Sequence, residues 1–270
     1  MMKNAMGAMG RASRDLQRNW RGLVLCFGLY CGLLLVLYAF FATAEASLWQ
    51  LLLTFLLATG AFGLFFILQT IGVSYTQRET QPIDLLRFSL RNFWKLILVT
   101  LPGIVLVGLA IYFVVRAENY LLATGHDSAR TATSAVRGSA RSLPHTAHWL
   151  EITLSALRFL LSFFFLPLVA IHLWIATVRE GLGSALRNVG RPLRRALAPD
   201  AVLAYAIGCM VFGFIPYFLL FTRTHSNHPW AEMGMLGTRL ALAGIFSFLG
   251  WMWTLGALTQ MVNSDDHKSQ

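Results

Sequence analysis

The sequence has few charged side chains. They make up 13% of its 270 residues, about half the charged fraction of an ordinary soluble domain. Hydrophobic residues make up 56%. So little polar sequence cannot cover the apolar residues of a soluble protein of this size, which argues against a soluble globular fold. Acidic residues are especially few: there are 12 of them and 22 basic residues, so the formal net charge is +10.

The sequence also lacks the patterns of common catalytic sites. No G-x-x-x-x-G-K-[ST], H-E-x-x-H or G-x-S-x-G pattern occurs, and no cofactor is expected. Acidic residues are missing near the middle of the apolar segments, which argues against a carboxylate-driven proton antiporter. The three cysteines, Cys26, Cys31 and Cys209, lie inside apolar segments and do not indicate a disulfide framework.

The most prominent feature that the sequence does have is a set of six long apolar runs. They cover residues 22–42, 48–72, 96–115, 152–178, 201–222 and 237–262. Each reaches the length of about 20 residues with which a helix crosses the hydrocarbon core of a bilayer. The first run is full length and lacks a small-residue cleavage site, so we expect it to be retained as an anchor. The sequence therefore predicts an all-α polytopic membrane protein with six transmembrane helices in one integral membrane domain, residues 1–270.

The basic residues predict the orientation of these helices. Fifteen of the 22 lie before the first, third and fifth runs or after the sixth, and cytoplasmic segments carry the excess of Lys and Arg. Both termini are therefore predicted to be cytoplasmic. Nucleic-acid binding is the competing interpretation, but the basic residues lie beside apolar runs rather than on a separate domain, so no nucleic-acid partner is expected. The absence of an N-x-Ser/Thr sequon is consistent with a bacterial inner (plasma) membrane protein.

Three of the runs follow a similar basic segment, which we call a lead-in. Its arginine pairs are Arg14 and Arg18, Arg87 and Arg91, and Arg187 and Arg191. Apolar residues at helical spacing lie opposite them: Leu16, Trp20 and Leu23; Ile83, Leu86, Leu90 and Phe93; Leu182, Leu186, Val189 and Leu193. This pattern is typical of an amphipathic helix in the headgroup region. The arginines are expected to face anionic lipid headgroups at the cytoplasmic surface.

Each lead-in and the two runs after it form one predicted repeat unit. The units are residues 11–72, 84–178 and 184–262, and the second contains an outer-loop insertion at 117–148. All three enter the membrane from the same side. They are therefore predicted to be parallel hairpin repeats, each preceded by a cytoplasmic amphipathic helix and related by an axis along the membrane normal.

This alternation of Arg-x-x-x-Arg lead-ins with membrane hairpins resembles two groups of poorly characterised bacterial multi-pass proteins. One is the membrane domain found beside glycerophosphodiester phosphodiesterases, and the other is the YciC-like inner-membrane proteins. The resemblance covers nearly the whole chain and implies a six-span helical fold. The soluble phosphodiesterase domain is missing here, so the resemblance implies neither that activity nor any site residue.

The residues suited to chemistry are scattered. His145 with His148, and His225 with His228, form two His-x-x-His patterns in outer loops, and paired imidazoles can bind zinc. Because Pro144 and Pro229 flank them, these pairs are also compatible with ordinary turns.

Three further features of the sequence are ionisable residues in the fourth run, prolines within runs and one long polar stretch. Glu151 and Arg158 lie seven residues apart near the outer end of the fourth run, and His172 lies farther along it. Prolines in the third, fourth and fifth runs predict helix kinks. The stretch 123–143, rich in small and polar residues, is expected to be a flexible external loop.

Together these features favour a non-enzymatic integral membrane protein that acts as a scaffold or accessory subunit. Two alternatives stay open. One is a small-molecule or lipid transporter with a central cavity. The other is an intramembrane enzyme with an outer-face site built from Glu151, Arg158 and the outer histidines. The G-x-x-x-G pattern at Gly28 and Gly32 allows close helix approach, which favours packing inside the monomer over dimerisation. A protein partner and a homo-oligomer stay open.

Overall fold

The computed structural model describes residues 2–43, 47–75, 81–133, 145–222 and 228–268, and the regular secondary structure within these ranges is helical. The α-helices are α1 Met2–Arg18, α2 Trp20–Ala42, α3 Leu48–Tyr75, α4 Pro82–Thr133, α5 His145–Phe159, α6 Leu166–Glu180, α7 Leu182–Arg187, α8 Gly190–Ala196, α9 Pro199–Cys209, α10 Ile215–Phe221 and α11 Pro229–Lys268. Two π-helical segments, Leu160–Phe165 and Met210–Phe214, continue α5 into α6 and α9 into α10.

Six helical segments in the described ranges are long and apolar enough to cross a membrane, as the sequence predicts. They are Trp20–Ala42, Leu48–Tyr75, Pro82–Ala117, Ile152–Glu180, Pro199–Phe221 and Trp230–Ser264. The chain is therefore a multi-pass helical membrane protein. Aromatic and aliphatic side chains cover much of the outer surface of these segments, as expected where a helix faces lipid.

The lead-in before the third span is not a separate helix. It forms the first turns of α4, which runs unbroken from Pro82 through Pro102 to Thr133. The helix also passes through the first half of the stretch predicted to be a flexible loop. That prediction is therefore wrong for residues 123–133, and residues 134–143 lie outside the described ranges. Ala and Thr dominate this helical part, and Ala in particular favours a helix once the turns before it have formed.

The lead-in before the fifth span is helical but broken. It forms α7 and α8, which are separated at Asn188 and Val189. Its buried side chains are Ala185, Pro192 and Ala196, whereas the predicted apolar face is largely exposed. The small residues pack against protein, and the larger leucines on the same two helices point outward.

The chain divides into two compact units. The first comprises Met1–Val99 and Ile171–Gln270, and the second comprises Thr100–Ala170. The second unit contains most of α4, all of α5 and the first π-helical segment. Its ring contacts include Phe159 stacked on Phe163 at a centroid distance of 4.9 Å. Arg116 donates a hydrogen bond of 3.0 Å to the hydroxyl of Tyr112, one turn earlier on α4.

An apolar cluster in the first unit joins α2, α3, the start of α4 and α11. Its buried members are Cys26, Leu33, Ala61, Leu68, Ile71, Tyr75, Leu85, Phe248 and Met252. The ring of Phe248 in α11 lies 5.3 Å from that of Phe27 and 5.4 Å from that of Tyr30, both in α2. These contacts fix the first two spans against the sixth.

Tyr75 closes this cluster at the break between α1 and α2. Its hydroxyl donates to the carbonyl oxygens of Asn19 at 2.7 Å and Leu16 at 3.3 Å. Carbonyl groups in the last turn of a helix lack partners within that helix, and Tyr75 supplies one for Leu16. The carbonyl of Asn19 also accepts the amide of Leu23 at 3.2 Å. Gly22 leaves room for the tyrosine ring, since a Cβ at this position would lie 2.8 Å from Cε2 of Tyr75.

The first lead-in, α1, is an integral part of the first unit. It packs against α9 and α11, with the side chains of Ala5, Ala8 and Ala12 at most 1% exposed. Small residues of this kind let helix backbones approach closely. The predicted apolar stripe differs from this buried face. Trp20 belongs to α2 and is exposed.

Candidate functional site: a basic pocket at one end of the first unit

Several contacts bring α1 together with the end of α11. Gln260 donates to Oδ2 of Asp15 at 2.7 Å, and Arg11 donates to the hydroxyl of Ser264 at 3.3 Å. Farther along α11, Nε1 of Trp253 donates to the carbonyl of Met9 at 3.1 Å. Because Tyr75 ties the end of α3 to the break between α1 and α2, the beginning of the first span and the ends of the second and sixth lie together. We call this the basic end.

The chain makes a sharp turn where α6 arrives at the basic end. Gly181 has φ 86° and ψ 162°, and it is the one residue with positive φ in the described ranges. A side chain at such a position costs about 1–3 kcal/mol. The amide of Gly181 donates to the carbonyl of Thr177 at 3.1 Å, and that of Ala185 donates to the carbonyl of Gly181 at 3.1 Å. Gly181 therefore accepts the first backbone hydrogen bond of α7 and donates the last one of α6.

This reversal encloses a small pocket between α6, α7, α8 and α11. Its polar lining consists of His172, Arg179, Glu180, Asn188, Arg191 and Arg195. Its apolar lining consists of Ile175, Ala176, Ala185, Pro192 and Val262. Val262 lies two residues beyond Gln260, which is bonded to Asp15, so the pocket belongs to the basic end.

The pocket carries a positive charge. Three guanidinium groups, those of Arg179, Arg191 and Arg195, stand against the carboxylate of Glu180. The net charge of the lining is therefore +2 when His172 is neutral. The Glu180 carboxylate accepts a hydrogen bond of 3.2 Å from the hydroxyl of Ser184, one turn away. A guanidinium group can donate two parallel hydrogen bonds to an oxyanion, so this arrangement is chemically suited to an anion.

The six predicted lipid-facing arginines are all exposed. They are Arg14, Arg18, Arg87, Arg91, Arg187 and Arg191. Arg191 lines the pocket, whereas Arg187, on α7, does not. Near Arg91, Lys95 donates to the side-chain carbonyl of Asn92 at 2.7 Å, which holds the lysine along the surface of α4.

The structure does not test a metal site at the outer histidines. His145 and His148 lie on α5, His225 lies outside the described ranges, and His228 is exposed just before α11. Within the part of the chain that the structure describes, no three His, Cys, Asp or Glu side chains are placed to hold a metal ion. The prediction of a zinc site at the outer histidines therefore stays a prediction.

Glu151 and Arg158, two of the residues suggested for an outer-face enzyme site, both lie in the second unit. Arg158 is exposed. His172 follows them along the same run but belongs to the first unit, where it is buried in the wall of the basic pocket.

Sequence reasoning assigned Arg179 and Arg195 to the positive charge that orients the membrane helices, and it gave Asn188 no role. The sequence feature that could have grouped Arg179, Asn188 and Arg195 is Gly181. It follows Arg179-Glu180 directly and precedes the arginines of α8. A glycine between an apolar run and a basic segment permits the chain to reverse. Only the structure shows that the chain does so and that these residues line one pocket.

Comparison with protein-family models, characterised proteins and solved structures finds no match to this chain. The resemblance to the membrane domain found beside glycerophosphodiester phosphodiesterases and to the YciC-like proteins therefore stays a prediction.

Proposed function

We propose that this protein is a non-enzymatic integral membrane protein that acts as a scaffold or accessory subunit. The observation that carries the proposal is the apolar cluster of the first unit, in which Ile71 and Met252 are almost fully buried between α3 and α11. A polar solute would need a path lined by polar groups, because burying an unpaired polar group costs free energy. Close apolar packing between spans favours a rigid body instead.

The membrane context is part of the same proposal. The protein is a bacterial inner-membrane protein with both termini in the cytoplasm, and its three lead-ins begin parallel hairpin repeats, in line with the proposed family resemblance. Support comes from the 15 basic residues assigned to one side and from the exposure of the six lead-in arginines. Each basic residue near an anionic surface contributes about 1 kcal/mol of attraction. Anionic lipids are therefore proposed as partners at the cytoplasmic surface. A protein, or a second copy of this chain, is the further proposed partner.

The orientation can be tested by cysteine labelling in intact cells. A membrane-impermeant maleimide should modify a cysteine placed at Ser134 and spare one placed at Ser264. Both should be labelled after the membrane is permeabilised, which controls for accessibility. The reverse pattern in intact cells would overturn the proposed orientation.

The functional proposal can be tested on the protein purified from native membranes in a mild detergent. A scaffold or accessory subunit should elute with a partner, or with itself, in a fixed ratio. The R87Q/R91Q variant should weaken lipid association of its lead-in by about 2 kcal/mol and leave all six spans inserted. If the lead-in is only an anchor, the assembly survives this change, and if it is a docking surface, the assembly is lost.

A transporter is the second candidate, and the two π-helical segments favour it. Such segments often occur at functional sites, and here each one comes just before a proline, Pro167 or Pro216. Liposomes that contain the purified protein distinguish the two candidates. Saturable uptake of a small molecule, or lipid scrambling above that of empty liposomes, would favour transport and contradict the scaffold.

A further inference from the structure

The basic pocket differs from the rest of the basic end because it is concave. The other lead-in arginines are spread along exposed helix faces, where they attract a charged surface without enclosing any ligand. In the pocket, α6 contributes Arg179 and α8 contributes Arg191 and Arg195, so the three guanidinium groups come from two helices on either side of the Gly181 turn. Convergence of this kind is what a discrete anion requires.

The donors in the pocket match the oxygen atoms of a phosphate. A phosphate presents several acceptor oxygens, and Arg is favoured over Lys for recognising them because its planar group donates two hydrogen bonds at once. The Asn188 side chain adds an amide donor to the same wall. The single carboxylate, that of Glu180, repels an anion, so removing its charge should strengthen anion binding.

The surroundings favour a phosphate that is attached to a lipid. Part of the wall is apolar, formed by Ile175, Ala176 and Val262. Leu186 on α7 and Leu193 on α8 are both more than 40% exposed beside the arginines of the same short helices. An exposed leucine next to an arginine suits the boundary between acyl chains and headgroups, whereas a soluble phosphate compound would gain nothing from it.

We propose that this pocket binds the phosphate of one anionic glycerophospholipid, held by Arg179, Arg191 and Arg195, with the acyl chains alongside the exposed leucines of α7 and α8. The inference rests on the proposed function for one point only, that the basic end lies at the headgroup level. It adds a site of fixed stoichiometry to the diffuse attraction that the lead-ins provide. The lipid would hold α7 and α8 against the end of α6 and so complete the fold at this end.

Binding can be measured on the full-length protein, delipidated in a neutral detergent, by native mass spectrometry and titration. Phosphatidylglycerol should bind at one molecule per chain, and phosphatidylcholine, which has no net charge, should bind more weakly. The R191Q variant should lose about tenfold in affinity for phosphatidylglycerol, because a hydrogen bond between charged groups is lost. The matched control is R194Q, which removes the same charge from the same helix outside the pocket lining and should leave the affinity unchanged.

A gain-of-affinity variant guards against misfolding as an explanation. The E180Q variant removes the carboxylate and should bind phosphatidylglycerol severalfold more tightly. Equal losses in R191Q and R194Q, or no change in E180Q, would overturn the pocket in favour of a diffuse charged surface. Glycerol 3-phosphate that competes with an affinity equal to that of the lipid would overturn the lipid as the ligand. None of these measurements depends on a protein partner or on orientation in cells, so their failure is distinguishable from failure of the scaffold proposal.

Discussion

The two π-helical segments share a backbone feature but differ in their surroundings. In each, the helical turn is wider than in an α-helix, because a backbone amide donates to the carbonyl five residues earlier instead of four. The amide of Leu166 donates to the carbonyl of Leu161, and that of Ile215 donates to the carbonyl of Met210. Each is followed closely by a proline, Pro167 or Pro216. A proline removes an amide donor and crowds the carbonyl four residues earlier, and a wider turn relieves that crowding.

The second π-helical segment is held from outside by α11. The hydroxyl of Ser247 donates to the carbonyl of Phe212 at 3.2 Å, and this is the carbonyl that Pro216 leaves without its usual amide four residues later. Gly250 lets the two backbones approach, since a Cβ there would lie 2.9 Å from the amide nitrogen of Phe212.

An aromatic contact completes this attachment. The rings of Phe212 and Trp251 meet edge to face at 5.2 Å and 88°, the geometry that aromatic pairs prefer. The indole nitrogen of Trp251 donates to Oε1 of Gln69 at 2.8 Å, which extends the contact to α3. Gln69 is 2% exposed, so this bond satisfies a polar group that would otherwise be costly to bury.

The first π-helical segment has a more local kind of support. Phe159 and Phe163, one turn apart, stack with an interplanar angle of 28°, and both are exposed. A stack along one helix stabilises that helix without fixing it to another. The comparison shows that a proline accompanies the same wide turn in two places, and that the second turn is also bonded to a neighbouring helix.

The largest expected effect comes from closing the space at Gly250. The G250A variant places a methyl group against the backbone of Phe212, and backbone cannot move aside as a flexible side chain can. We expect a loss of about 1–3 kcal/mol, the usual cost of overpacking a close contact. The loss should appear as a lower midpoint of thermal unfolding in detergent, with the second π-helical segment separated from α11.

The matched control for this variant is G244A on the same helix. A Cβ at Gly244 meets no atom within 4 Å, and alanine favours a helix over glycine, so the midpoint should stay the same or rise. Equal destabilisation by G250A and G244A would show that glycine itself matters in α11. The contrast between the two π-helical segments would then lose its support.

The sequence predicts the spans well because the length and hydropathy of a span are local properties. Pro102, Pro167 and Pro216 all predict kinks in the same way, yet Pro102 lies in an unbroken α-helix. No local signal in the sequence separates these three cases, since each proline lies in a similar apolar run. The same limit applies to α1, whose buried face is made of Ala5 and its neighbouring small residues, since alanines leave only a weak apolar pattern.

The pocket shows this limit at the candidate site. Composition and positive charge located the basic segments correctly beside the spans. What they could not give is the Gly181 turn that brings Arg179 to face Arg191, because the distance between two side chains across a reversal is set by backbone angles. A glycine is permitted to adopt those angles but is not required to.

The smallest expected effect tests the role of Ser247 and isolates one hydrogen bond. The S247A variant removes the donor to the Phe212 carbonyl and should cost about 0.6 kcal/mol, the average for hydrogen bonds between membrane helices. In a P216A background, the substituted alanine supplies a backbone amide to that carbonyl, so the cost of S247A should shrink. Any other contact of Ser247 is common to both backgrounds and cancels in the double-mutant cycle.

The first π-helical segment provides the control for this cycle. The P167A substitution restores an amide in that segment, whereas Ser247 donates to Phe212 in the other one, so S247A and P167A should add within about 0.3–0.5 kcal/mol. Unfolding midpoints of the single and double variants in one detergent give both coupling energies. If S247A couples to neither proline, the serine does not compensate for Pro216. The closer hold on the second π-helical segment would then come from the Gly250 contact and the Phe212–Trp251 ring pair alone.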